Sequence, residues 1–447
     1  MNLLCGPLLL SLLGATALTA CSSKLVPGDG SNPERAFPVV CAWAHTTSDT
    51  SCPAGACPIV LDEELTCDDD RFGEYSVSVA PTPDATWLAT SAPGEHMVYR
   101  LSGGKNERQE GIPDAFNGNR ISLALGPDGA PQLIADPVIR SSKDPGNVTR
   151  AVFANGKWTS SVIIDTTESP RRVIDFAITP SGEPFLWFTG GPSETVELAT
   201  SKGQGTWTLD PKVAPFDRYT LDADGSPLGV TLGYMTGTTY QLRVGIDFVG
   251  TSIGGPIDVG PEAGLVLAAA PPQILSGLSF GAALVSSTGI HFVRVSKGGQ
   301  AQVSVVDGIP SSVEMCPGGG ECQSRCQKTG IRFDYHSTAV GWTDDGTAWL
   351  TYNVIHIDQA IEFSTPADPE QMGCSGSVVD DMSTGTVHLV RIAPDGSAPT
   401  EVLSMPIGRL LNIDVRGSGK ELAIGMATVG ITGMNTVRVL RIDTTKL

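Results

Sequence analysis

Apolar and polar positions alternate through Ile121 to Asp136, ISLALGPDGAPQLIAD: one run with every second residue apolar, a Pro-Asp-Gly turn, then a second apolar run. A period of two suits a strand with one buried face, and Gly129 supplies the positive φ that a tight hairpin turn needs. The unit is a β-hairpin. Looser copies begin at Ser76, Val173, Tyr219, Thr338 and Leu411. Most are followed by a second hairpin. Met97 to Leu101 pairs with a strand after Gly104, Thr149 to Ala154 with Trp158 to Asp165 about Asn155-Gly156, and Thr195 to Ala199 with Trp207 to Leu209. Two hairpins give four strands per unit.

The first-hairpin turns fall at Asp84, Asp128, Ser181 and Asp224, spaced 44, 53 and 43 residues apart. Four strands repeating every 40 to 50 residues or so predict an all-β chain built as a β-propeller, since a sandwich would not repeat itself in this way. A less regular blade covers about Gly264 to Gly308. A sixth starts near Asp334, is interrupted between His356 and Thr386, and resumes with an outer hairpin from Val387 to Val402. The last starts near Arg409 and supplies three strands, the third being Thr436 to Ile442. The expectation is a seven-bladed β-propeller of four-stranded blades with a disulfide-stapled N-terminal segment. Closing the ring then needs one more strand, and the apolar runs between residues 39 and 61 are the candidates.

Composition agrees with this picture: 52 Gly, 32 Pro and 40% apolar residues in 447 provide core material and many turns. A net charge of −19 with no Lys/Arg cluster argues against a nucleic-acid or anionic-membrane surface. The first residues are apolar from Leu3 to Leu18, too short for a spanning helix, and end in Leu18-Thr19-Ala20-Cys21. This stretch resembles the lipobox of bacterial lipoproteins, which implies a signal over 1–20, lipid on Cys21, and a location in the cell envelope. Ser22 and Ser23, in place of an aspartate, point to the outer membrane. Residues 21–38 are rich in Gly, Pro and Ser and read as a flexible tether. A Cys-rich segment spans 39–73 and the propeller 74–447, with insertions at 309–333 and 356–386.

Eight cysteines remain, in two groups of four: Cys41, Cys52, Cys57 and Cys67, then Cys316, Cys322, Cys326 and Cys374. Even counts suit disulfides in an oxidising compartment, and neither group has the paired spacing of a zinc site. Each group allows three connectivities. If all four of the second group pair, Cys374 joins the two insertions. No metal or cofactor is expected. The triple Asp68-Asp69-Asp70 lacks the spacing of a calcium loop.

The turn SKGQGTW, Ser201 to Trp207, resembles the Asp-box of sialidase-type propellers, with Gly203 where the aspartate belongs. In that family the box is structural, so the resemblance implies fold and no activity. Arginines precede or open the first strand of many units: Arg71, Arg120, Arg171 with Arg172, Arg218, Arg332 and Arg409. At the mouth of a central channel, Arg120, Arg171, Arg218, Arg332 and Arg409 could converge on a carboxylate or phosphate through bidentate hydrogen bonds. Asp175, Asp217, Asp334 and Asp414 lie close enough in sequence to neutralise them instead. Sialidase-type chemistry would also need a tyrosine nucleophile. Tyr75, Tyr219 and Tyr335 open units, with nothing around them that singles one out. His336 and His356 flank the sixth hairpin without metal spacing. The functional expectation is a non-enzymatic, envelope-anchored module binding a protein or glycan. The alternatives are a glycoside hydrolase or lyase at the channel mouth, and a structural subunit of an envelope assembly.

Overall fold

The computed structural model describes residues 40–45, 58–67, 77–92, 95–112, 121–135, 148–164, 171–178, 184–190, 195–201, 207–213, 218–221, 227–236, 239–245, 251–252, 257–258, 264–269, 278–286, 289–296, 301–308, 312–313, 325–364, 374–429 and 435–447. The expected signal, the tether and Cys21 lie outside the described residues. Within them the chain is all-β, apart from one short 3-10 turn at Thr444–Lys446.

Strands β1 (Cys41–His45) and β2 (Ile59–Cys67) pair antiparallel and are stapled by the Cys41–Cys67 disulfide. The first sheet follows with β3 (Val77–Thr82), β4 (Ala85–Ala92), β5 (Glu95–Ser102) and β6 (Lys105–Arg108). The second holds β7 (Ile121–Leu125), β8 (Pro131–Ala135), β9 (Val148–Ala154) and β10 (Lys157–Ile164). The third holds β11 (Arg171–Ile178), β12 (Pro184–Gly190), β13 (Thr195–Ser201) and β14 (Trp207–Val213). The fourth holds β15 (Arg218–Leu221), β16 (Pro227–Thr236), β17 (Thr239–Gly245) and β18 (Thr251–Ser252), with β19 (Ile257–Asp258) also on β17. The fifth holds β20 (Gly264–Ala269), β21 (Leu278–Ser286), β22 (Gly289–Ser296) and β23 (Ala301–Asp307). The sixth is larger: β24 (Ser312–Val313), β25 (Arg325–Trp342), β26 (Ala348–Ser364), β27 (Ser375–Asp381), β28 (Thr384–Ile392) and β29 (Thr400–Ile407). The seventh joins both ends of the chain, in the order β1, β2, β32 (Asn435–Asp443), β31 (Glu421–Val429) and β30 (Arg409–Ser418).

Among the described residues there are thus seven antiparallel sheets, and none closes on itself into a barrel. Their first strands follow one another: β3 lies beside β7, β7 beside β11, β11 beside β15, β15 beside β20, β20 beside β25, β25 beside β30, and β30 beside β3. Polar groups bridge this succession where the seventh sheet meets the first. Asp414 on β30 accepts from Val79 N at 2.9 Å and from Ser78 Oγ at 3.1 Å, and Ser78 Oγ accepts from Leu123 N of β7 at 3.2 Å.

Turn chemistry explains the hairpins. Ala154 pairs with Lys157, which leaves a two-residue loop, Asn155-Gly156, at φ 52° and 73°. Positive φ at both positions is the turn that matches the twist of paired strands. The faces then pack sheet on sheet. Leu65, Val77, Val79, Leu88, Val437 and Val439 join the seventh sheet to the first, and Phe292, Phe333, Trp342, Leu350 and Tyr352 join the fifth to the sixth. Gly281 on β21 is needed for the second contact, because a Cβ there would lie 2.5 Å from Trp342 Cζ2.

Aspartates fasten several hairpin turns. Thr343 Oγ donates to Asp345 at 2.8 Å, Thr347 N donates to the same carboxylate at 3.0 Å, and Trp349 Nε1 donates to Thr343 Oγ at 2.9 Å. Burial pushes the Asp345 carboxyl upward, but these hydrogen bonds and the charge of Arg391 outweigh it and hold the carboxyl below its usual range. Thr82 lowers Asp84, and the Ser397 amide lowers Asp395. A folded-state value below the unfolded one means stabilisation that is present above the unfolded carboxylate value, about 3.9, and lost as pH falls through the folded value. Stability is therefore expected to hold at neutral pH and to drop below about pH 4. Urea midpoints across pH should show this, and Asp345→Asn should flatten the acid limb. An unchanged slope in that variant would remove Asp345 from the account.

Candidate functional site

The sixth sheet carries the part of the molecule that departs from the repeat. Pairing of β25 with β26 runs from Trp342–Ala348 out to Arg325–Glu362, with an irregularity between Asp334 and Ala339. Past His356, β26 exchanges β28 for β27, from Gln359–Asp381 to Ser364–Ser375. On the other side β24 adds at Ser312–Ile331. Segments separated in sequence thus combine into an outer ladder, β24-β25-β26-β27, that lengthens the central hairpin by roughly 30 Å at the usual rise per strand residue.

Period-two geometry divides this ladder into two faces. Arg325, Gln327 and Thr329 share one face with His356, Asp358, Glu362 and Asp380, and Gln327 Nε2 donates to Asp358. Ile355, Ile357, Ile361, Phe363 and Val378 share the other, together with Lys328, Arg332, Gln359 and Asp381. The ring of Phe363 covers Gly376, where a Cβ would lie 2.9 Å from Phe363 Cε1. Cys326 and Cys374 are each disulfide-bonded. Cys52, Cys57, Cys316 and Cys322 lie outside the described residues.

The outermost strand, β27, is solvent-exposed from Gly376 to Asp381. Val378 is 52% exposed, Val379 47% and Met382 67%. The register slips between Ala360 and Ile361, so Val379 is an extra residue bulged out beside Val378. Below it a turn is pinned: Ser383 N donates to Asp381 Oδ1 at 3.1 Å, Gln359 Nε2 to Asp381 Oδ2 at 3.0 Å, and Asp358 N to Ser383 Oγ at 3.0 Å. Burial raises the Asp381 carboxyl, but those donors and the charge of Arg409 win and lower it.

The arginines named from sequence divide as follows. Arg120 lies outside the described residues. Arg171, Arg218 and Arg409 are the first residues of β11, β15 and β30, the first strands of the third, fourth and seventh sheets. The side chains of Arg171 and Arg218 are outside the described residues; those of Arg332 and Arg409 are exposed. Asp414, one of the neutralising candidates, turns to Ser78 and Val79 of the first sheet and to Arg416 at 3.2 Å. Arg409 acts on Asp381 instead. The side chains of Asp175, Asp217 and Asp334 lie outside the described residues, as do those of Tyr75, Tyr219, Tyr335 and His336. His356 is exposed on the polar face.

Two buried groups were not singled out in the sequence. Asn353 is 1% exposed, and neither Nδ2 nor Oδ1 has a hydrogen-bond partner among the described residues. Tyr352 is 3% exposed, donates to Asp307 Oδ2 at 3.1 Å and stacks on His388, which bonds Glu401 at 2.9 Å. Burial, then the charge of Asp307, raises the Tyr352 phenol above its ordinary value. Tyr352 is a packing group between the fifth and sixth sheets.

No protein-family model and no curated protein matches the chain. Among solved structures it is similar to a puromycin hydrolase at 14% identity and a TM-score of 0.44, over 83% of this chain and 52% of that one. A prolyl endopeptidase aligns at 13% identity and 0.32, over 71% and 45%. The polysaccharide lyase Uly1 aligns at 11% identity and 0.37, over 83% and 90%. The chain thus spans about half the length of the puromycin hydrolase. Likenesses of this size assign neither a family nor an activity.

Proposed function

We propose that this chain is a non-enzymatic binding module on a seven-bladed β-propeller, in which the seven sheets are the blades and the outer ladder of the sixth holds a protein partner. The succession of first strands from β3 round to β30 and back to β3 supports the architecture. The exposed apolar group Val378 and Val379 on the outermost strand, with Met382 in the turn that follows, carries the functional reading. Apolar side chains gathered in the open mark an interaction surface, and aliphatic rather than aromatic character suits protein better than glycan. The expected lipid at Cys21 and tether over 21–38 would hold the module at an envelope membrane, and the disulfides support an oxidising compartment.

The double variant Val378→Lys/Met382→Lys tests this. Its melting temperature should stay close to the parent chain's, because Met382 is 67% and Val378 52% exposed, while retention of protein from an envelope extract should be lost. Equal retention by parent and variant would overturn the assignment to the ladder. Retention of polysaccharide in place of protein would overturn the choice of partner.

A further inference from the structure

Among the described residues no strand pairs with the outer edge of β27, so its backbone N–H and C=O groups on that side have no strand partner. Free edges are normally blunted by lysine, proline, other charges or a bulge; Ser375–Asp381 contains no lysine or proline, and its bulge and two aspartates follow Val378, which leaves Ser375–Val378 open. From Ser375 to Val378 the pairing to β26 is regular, so the outer edge presents an even series of donors and acceptors before the bulge at Val379. The side chains around it are of two kinds. Val378, Val379 and Met382 are apolar and exposed. Asp380 and Glu362 are exposed carboxylates on the polar face, and Asp381 lies on the apolar one. The whole chain carries a net charge of −19.

We infer that β27 is a strand-addition site that takes an extended peptide segment of a partner protein, with aliphatic residues alternating with lysine or arginine. The inference rests on the binding-module reading and specifies its ligand. Main-chain hydrogen bonds to the free edge supply affinity, and alternate side chains are sorted by the two faces. The aliphatic ones pack on Val378 and over the ring of Phe363. The basic ones meet Asp380 and Glu362. A second copy of this chain is disfavoured as occupant, because each copy brings the same excess of negative charge.

The probe is a short synthetic peptide alternating valine and lysine, with a valine/glutamate peptide as its counterpart. Fluorescence polarisation reads binding to the whole chain, and hydrogen–deuterium exchange reads which amides are covered. The lysine peptide should slow exchange over residues 375–382 and bind at least about tenfold more tightly than the glutamate peptide at low salt, the gap closing as salt rises. Asp380→Lys should invert the preference without altering the melting temperature. The inference is overturned if the lysine peptide fails to bind, if it protects another segment, or if both peptides protect 375–382 equally. If the Val378→Lys/Met382→Lys variant loses its natural partner while amides 375–382 of the parent stay unprotected by that partner, strand addition fails and the binding-module reading stands.

Discussion

A chain that begins at residue 74, without β1 and β2, is expected to lose cooperative unfolding. Strand β2 is the fourth strand of the seventh sheet, pairing from Ile59–Ile442 to Thr66–Thr436. It buries Leu65 completely and places Cys67 at 1% exposure, against Val77, Val437 and Val439 of the two sheets it seals. Each such aliphatic side chain contributes about 2 kcal/mol. Asp62, 4% exposed, forms a bidentate pair with Arg438 at 2.8 and 2.7 Å. Removing one partner of a buried pair costs about 3–5 kcal/mol. The losses together are on the order of 10 kcal/mol, comparable to the whole net stability of a domain. Circular dichroism against urea should show a broad, early transition, whereas a sharp transition near the parent midpoint would sink the prediction. Replacing Cys41 and Cys67 by serine, with both strands kept, removes only the cross-link and should cost about 3.5 kcal/mol on loop entropy.

Arg294→Met should be the most damaging single substitution between the fifth and sixth sheets. Arg294, on β22 and 7% exposed, donates to the carbonyls of Gly346 at 3.1 Å, Ile392 at 2.8 Å and Ala393 at 3.1 Å. It lies 5.1 Å from the Trp342 ring centroid and 5.9 Å from that of Phe292. One guanidinium therefore satisfies two turns of the neighbouring sheet while packing on its aromatics. Burial pulls its pKa below the usual arginine value, and the charge of Asp395 opposes this. Methionine would fill the space and withdraw these donors, leaving Ala393 O with only the Gly396 amide at 3.4 Å, at a cost of about 3–5 kcal/mol. Lysine should recover only part, lacking the planar fork. Arg100→Met is the control, since its pair with Asp84 is exposed and worth under about 1 kcal/mol. Urea midpoints at constant slope decide the matter, and equal losses at the two positions would sink it.

Arg441 plays the same part where the seventh sheet meets the first. It donates to the carbonyls of Thr82 at 2.8 Å and Pro83 at 3.0 Å, and pairs with Glu421. Neither arginine was legible as an intersheet group. In HFVRVSK an arginine between valines reads as the solvent side of a strand, and its burial depends on Gly281 letting Trp342 approach. The hairpins, by contrast, were legible, because alternation and the turn residues Asn155-Gly156 act locally. Strand β2 was legible in part: Ile59-Val60-Leu61 was visible as an apolar run, while its place in the last unit beside Thr436 to Ile442 was inferred from the strand that unit lacked. The outer ladder was hidden. VIHIDQAIEF in β26 does alternate, but its partner RCQKTGIRF is polar and Gly-containing, and their pairing depends on contacts outside either segment. The arginines were legible as strand openers at Arg171, Arg218 and Arg409, whereas Arg332 lies inside β25, which begins at Arg325. Their side-chain partners were not, as Asp414 illustrates.

The seventh sheet also sets an order of events during synthesis. Asp62 and Arg438, which hold β2 to β32, are 376 residues apart, so the sheet cannot form until β32, Asn435–Asp443, has been made. Contacts so distant close slowly, and the unsealed sheets meanwhile expose strand edges. The β1–β2 hairpin is different, because its cysteines are only 26 residues apart and can oxidise early. It then waits as a pre-stiffened template for β32, so the oxidation state of Cys41 and Cys67 governs how fast, and how cleanly, β32 finds its place.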